Sequence, residues 1–126
     1  MYQQLIIWRV TALIPATFDI YYYRGDTYTF YLNVKDSEGN LVDLEAGGYS
    51  ALFTIATSRG ANPTDSWVLT PDITTSQITC TITPTVGLQL DAGPYVYDVQ
   101  VKLDSSTVYT YLTGNIYITL DVSEAG

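Results

Sequence analysis

The sequence predicts an all-β antiparallel sandwich, and three observations carry that prediction. Apolar and polar residues alternate at period two in segment after segment, turn chemistry interrupts them about every ten residues, and no stretch has the length or periodicity of a long helix. The clearest segment is residues 27–34, where Tyr28, Phe30, Leu32 and Val34 are apolar and Thr27, Thr29 and Asn33 between them are polar. Side chains alternate faces along a strand, so these four form one apolar stripe, and only Tyr31 blurs the opposite face. Asp36, Ser37, Glu38, Gly39 and Asn40 then supply a turn, because Asp and Ser bond back to the backbone and Gly accepts positive φ.

The other elements follow in order. Residues 1–17 read as an N-terminal arm in which residues 5–10 carry apolar side chains on both faces before Pro15 stops a regular ladder. Such a segment must be covered on both sides, either as a central strand of its own domain or against a neighbouring subunit. Residues 18–23 form the next strand and Arg24-Gly25-Asp26 its turn. After a short extended piece at 42–44 and a turn at 45–48, residues 49–56 alternate, with Tyr49, Ala51, Phe53 and Ile55 on one face. Residues 58–65 are a loop, 67–69 a short strand, Pro71-Asp72 a turn, and 77–83 a strand with Ile78, Cys80 and Ile82 inward. Residues 84–91 allow at most one helical turn. In 95–103, Tyr95, Tyr97, Val99, Val101 and Leu103 share a face; 104–106 make a hairpin, and a last strand with a bulge or kink at Gly114 turns Ile116, Ile118, Leu120 and Val122 inward. About eight such strands indicate a sandwich, of immunoglobulin type first and jelly-roll type second.

At 126 residues the chain is one domain, 18–126, preceded by the arm. Its single cysteine cannot form an internal disulfide; Cys80, between Ile78 and Ile82, reads as a small buried apolar residue and fits assembly in a reducing cytoplasm. A net charge of −8 counts against a nucleic-acid partner, since five scattered basic residues, Arg9, Arg24, Lys35, Arg59 and Lys102, cannot grip a phosphate backbone. No apolar run approaches the roughly 20 residues of a membrane helix.

The chemical inventory is short. Without histidine and with one cysteine, the chain lacks the parts of zinc sites and of Ser-His-Asp or Cys-His machinery. Asp36, Glu38, Asp43, Glu45 and Asp104 sit in expected turns, where solvated turn formers are the ordinary finding. Asp36, Glu38, Asn40 and Asp43 have calcium-like spacing but read as a capped hairpin turn. The sequence therefore predicts a non-enzymatic protein with no cofactor and no metal. Arg24-Gly25-Asp26 matches the integrin tripeptide by letter, and turn chemistry accounts for it.

Taken together, Arg24-Gly25-Asp26-Thr27-Tyr28-Thr29-Phe30, Val34-Lys35-Asp36-Ser37-Glu38-Gly39-Asn40 with Val42-Asp43-Leu44, and Gly93-Pro94-Tyr95-Val96-Tyr97-Asp98-Val99-Gln100-Val101 resemble the small immunoglobulin-like β domains of tailed-phage virion proteins. They are similar in particular to the N-terminal domain of the phage baseplate upper protein family, over most of residues 18–122. That family continues into a long C-terminal part that carries or anchors receptor-binding proteins, whereas this sequence ends at Gly126. The resemblance implies a virion building block whose partners are other phage virion proteins and copies of itself, as a homo-oligomer in the particle, with no membrane.

The expected function is thus a repeated subunit of the tail or baseplate; the alternatives are a capsid decoration protein and a carbohydrate-binding or host-adhesion module. Leu5, Ile6, Ile7, Trp8, Val10, Leu13 and Ile14 are the expected assembly interface. The twelve tyrosines fit strand propensity and an interface equally well. A sugar binder needs two or three exposed rings in a row beside Asn or Asp, whereas a structural subunit uses its rings in subunit contacts.

Overall fold

The inward residues read from the sequence at 28–34, 51–55, 78–82 and 95–101 are buried in the structure, a computed structural model that describes residues 2–9, 16–36, 38–104 and 107–120, with side chains described for 16–35, 38–102 and 107–120. Strands β1 (Tyr2–Arg9), β4 (Tyr28–Asp36), β8 (Gln77–Ile82) and β7 (Asp72–Thr74) form the first sheet, in the order β1-β4-β8-β7. The second runs β2 (Ala16–Thr17), β10 (Thr107–Thr119), β9 (Gly93–Asp104), β5 (Ser50–Ala56), β6 (Ser66–Leu69), with β3 (Ile20–Tyr23) also on β10. The protein is an all-β sandwich of two sheets.

Tyr28, Phe30, Leu32 and Val34 of β4 meet Ala51, Phe53 and Ile55 of β5 and Tyr95, Tyr97, Val99 and Val101 of β9 in one buried core, with Ile78, Cys80 and Ile82 of β8 completing the first sheet's contribution. Aromatic edges meet faces at its centre: Phe30 lies 5.4 Å from Phe53 and 6.2 Å from Tyr97, and Phe53 lies 5.7 Å from Tyr97. Burial drives the Cys80 thiol pKa upward, so the group behaves as the apolar filler its neighbours suggested.

Several expectations are corrected by the way the elements meet. Ten strands are present among the described residues, and the sandwich is not wholly antiparallel: β1 pairs with β4, and β2 and β3 with β10, in parallel. A first strand that joins a sheet edge without a hairpin is free to take either direction. Asp72 opens the short edge strand β7 in place of a turn. The bulge of β10 falls between Thr110 and Leu112 and not at Gly114; its extra residue turns two consecutive side chains, Tyr111 and Leu112, into the core. Leu120 is 61% exposed and so does not line the inner face, while Val122 lies outside the described residues and so do the side chain of Leu103 and the hairpin residues 105 and 106.

The helical turn expected at 84–91 is α1 (Pro84–Gly87), capped by Thr83, whose Oγ1 accepts the Val86 N–H, and started by Pro84 at its first position; a 3-10 turn, Pro63–Asp65, also forms within the loop at 58–65. The residues that follow α1 are tied by Arg24 to the turn between β3 and β4.

Candidate interaction surface

The sequence placed the assembly interface at Leu5, Ile6, Ile7, Trp8, Val10, Leu13 and Ile14. In the structure the backbone of the first four belongs to β1, in register with Leu32, Asn33, Val34 and Lys35 of β4, at the edge of the first sheet. Val10, Leu13 and Ile14, and the side chains of all seven, lie outside the described residues. The backbone of residues 5–8 is therefore part of an edge strand of the first sheet and not of a central one.

Arg24-Gly25-Asp26 has a structural job. The Arg24 guanidinium donates from Nε to the Leu90 carbonyl at 2.8 Å and from Nη2 to the Leu88 carbonyl at 2.5 Å, satisfying acceptors that the end of a helical turn leaves open. Gly25 sits at φ 88°, and Asp26 donates its N–H to the Tyr23 carbonyl while its own carbonyl accepts the Tyr22 hydroxyl at 2.6 Å. A tripeptide so engaged is a chain-reversing clamp. Among the carboxylates considered for calcium, Asp43 Oδ1 accepts the Ala46 N–H at 3.0 Å, which is turn capping. The side chain of Asp36 lies outside the described residues, and those described contain no cluster of three or more metal-ligating groups.

The feature that sequence reasoning did not locate is on the outer face of the second sheet. Ile20 and Tyr22 of β3 point inward, so Tyr21 and Tyr23 point outward, 70% and 54% exposed. Parallel pairing sets Tyr21 beside Tyr117 of β10, where the rings stack at 5.2 Å and 25° between planes; Tyr117 is 37% exposed. Next along the same edge, Asp19 Oδ1 accepts both the backbone N–H of Asn115 at 3.0 Å and its side-chain Nδ2 at 3.3 Å. Three exposed rings thus run in a strip that ends on an Asp-Asn pair.

The kink that places Asp19 there is built into the core. Between β2 and β3 the Phe18 carbonyl folds over Gly114 and accepts the Tyr97 hydroxyl at 2.6 Å. A Cβ on Gly114 would lie 2.0 Å from that oxygen, so a residue without one is required. The same bond uses the Tyr97 hydroxyl inside the core, where burial pushes its pKa upward.

Beyond Asn115 the outer face dips. Asn115 is in register with Val96, and Val96 with Ala56, two small side chains that help line an open depression of ≈ 290 Å³ together with Thr54, Ser58, Arg59, Ser66 and Asp98. The Arg59 guanidinium reaches over β9 to the Gly114 carbonyl at 3.4 Å. Burial pushes the Asp98 carboxyl pKa above its ordinary value, and the Arg59 charge opposes that rise. Tyrosine strip, Asp-Asn pair and depression thus share the outer face of the second sheet, Asn115 standing beside Val96 at the depression's rim.

No family model matches the chain, and no curated protein matches its sequence. Among solved structures it is similar to the N-terminal domain of phage TP901-1 ORF48, with a TM-score of 0.55 at 9% identity, over 94% of this chain and 98% of that one. At that identity the likeness is one of fold. A looser likeness, with a TM-score of 0.46 and 19% identity, covers 84% of this chain and 13% of an endo-fucoidan hydrolase of glycoside hydrolase family 107, and it has no bearing on function.

Proposed function

We propose that this protein is a non-enzymatic structural component of a tailed-phage virion, a repeated subunit of the tail or baseplate whose partners are copies of itself and other virion proteins. The observation that carries the reading is the fold shared with a domain of a phage protein along nearly the full length of both chains. The topology supports it as well: β4-β8-β7 faces β5-β9-β10 in the order that immunoglobulin-type sandwiches use for strands B-E-D and C-F-G, with β6 added beside β5. Greek-key sandwiches of this kind are reused as building blocks, so the fold supplies a rigid body and its edges supply contacts.

The arm remains the proposed contact. β1 ends the first sheet, so one side of its backbone is open to a strand from a neighbour among the described residues. A chain that begins at Thr17 is expected to keep its β-type circular dichroism and to lose incorporation into particles. Unfolding of that chain would make β1 indispensable to its own sheet and take the arm out of assembly. The wider reading is tested by gold-labelled antibody against this protein on purified particles in negative stain: label at the tail tip supports it, label over the head would transfer the protein to capsid decoration, and unlabelled particles would sink the virion assignment.

A further inference from the structure

We propose that the outer face of the second sheet is a saccharide-binding surface, with Tyr21, Tyr23 and Tyr117 as the stacking platform and the Asp19-Asn115 pair and the adjoining depression as the polar end that selects a neutral oligosaccharide. This goes beyond a structural role in the particle and does not depend on it.

Four observations converge. First, the rings are open: Tyr21 keeps 70% exposure although one of its faces covers Tyr117, and burial of such amphipathic rings is what a bound pyranose, with its apolar C–H face and equatorial hydroxyls, supplies. Second, the rings are fixed in place. Tyr21 and Tyr23 stand on a strand whose alternate residues, Ile20 and Tyr22, are buried, and Tyr117 stands between buried Ile116 and Ile118. A platform held from beneath loses little entropy when it binds. Third, Asp19 spends one oxygen, Oδ1, on Asn115, and its carboxylate holds the Asn115 amide at the end of the platform. Sugar hydroxyls are both donors and acceptors, and a carboxylate-amide pair offers both functions side by side. The depression beyond repeats that mixture with Arg59, Asp98 and the Ser58 and Ser66 hydroxyls. It is an open depression in which small side chains such as Ala56 and Val96 alternate with polar ones, a lining suited to a hydroxyl-rich ligand.

Fourth, charge chooses among occupants. With a net charge of −8 and carboxylates at both the strip and the depression, the surface repels polyanions such as nucleic acid or an anionic wall polymer. A second copy of the chain would bring the same carboxylates face to face. Strand addition at this edge is also short of backbone, because β3 has four residues and Tyr23 already accepts the Asp26 N–H. A neutral saccharide faces none of these costs. Tyr23 lies four residues beyond Asp19, and at a strand rise of about 3.3 Å per residue the strip is roughly 13 Å long, enough for about two to three sugar rings.

The test uses the full chain and saturation-transfer NMR against a panel of neutral oligosaccharides: gluco-, galacto-, manno- and N-acetylglucosamine-containing oligomers of three to six rings. At least one is expected to receive saturation from tyrosine ring protons and to bind with saturable shifts. The double variant Tyr21→Ala, Tyr117→Ala should weaken that binding by at least about tenfold, equivalent to about 1.4 kcal/mol, with an unchanged melting temperature. Val68→Ala, exposed on the distant strand β6, should leave it unchanged. Absence of binding across the panel overturns the proposal, and so does binding that survives the double variant. A concentration-dependent dimer that the double variant abolishes would instead assign the strip to a second copy. Incorporation of the double variant into particles reads the structural role separately, so the two proposals fail independently.

Discussion

Tyr21, Tyr22 and Tyr23 are neighbours of identical chemistry, and the sandwich treats the middle one as core and the outer two as surface. Tyr22 is 2% exposed, its ring edge-on to Tyr28 and its hydroxyl bonded to the Asp26 carbonyl, whereas Tyr21 and Tyr23 stand largely in solvent. The same split runs through the whole second sheet, where Tyr97 uses its hydroxyl to hold the Phe18 carbonyl inside and Tyr117 presents its ring outside. What differs is the cost of leaving a group unmatched: a buried hydroxyl or carbonyl needs a partner, and an exposed one has water. Tyr22 and Tyr97 are therefore placed by hydrogen-bond geometry as well as burial, while Tyr21, Tyr23 and Tyr117 are free to serve a ligand or a neighbour. The outer face of the first sheet makes the contrast sharper, since it closes on itself through the Thr29-Thr81 pair at 3.2 Å and the Gln77-Asn33 bond at 3.1 Å.

If the inner face is where stability resides, its central ring has the largest effect. Phe30→Ala should cost about 3–5 kcal/mol, read as a large fall in denaturant midpoint, because Phe30 is fully buried between Phe53 and Tyr97. An unchanged midpoint would break the comparison outright. Next comes Gly114→Ala, where the new methyl meets the Phe18 carbonyl, a backbone atom that cannot swing aside; about 1–3 kcal/mol is expected from chemical denaturation.

Hydroxyl deletions sharpen the comparison. Tyr97→Phe strands the Phe18 carbonyl over Gly114 and should cost about 1–3 kcal/mol, while Tyr21→Phe and Tyr117→Phe should stay within about 0.5 kcal/mol of the parent. Equal costs for the inner and outer hydroxyls would erase the distinction. The smallest effect belongs to Asp98, whose folded pKa is raised mainly by desolvation, with Arg59 opposing. A raised acid pKa means that its contribution is fully present below the ordinary value of 3.8 and is lost as pH rises through the folded value. Asp98→Asn should accordingly raise the melting temperature slightly at pH 7 and leave it unchanged near pH 3, and a variant that is less stable at pH 7 would show that Arg59 outweighs burial.

The inner stripes were legible because period two needs only local information. Phe30, Phe53, Ile78, Cys80, Tyr97 and Val99 were each assigned inward by alternation, and each is fully or almost fully buried. Gly114 was legible as a special position, but its reason was not: a close approach to the Phe18 carbonyl is a fact about a segment far away in sequence. The Arg24-Gly25-Asp26 turn was legible from its chemistry, yet nothing local indicated that Arg24 would reach Leu88 and Leu90, more than sixty residues on. The tyrosine excess was visible as a number, and the exposed strip was not.

By itself the sequence determined the class of fold and the inward faces of β4, β5, β8 and β9, since alternation and turn residues are properties of short windows. Tertiary structure alone decided which strands became neighbours: that the first strand lies parallel to β4, and that Asp19 meets Asn115 across 96 residues to end a row of three exposed rings. Pairing across such distances is set by how the closed core excludes every other arrangement of its edges, and no window of sequence contains that competition.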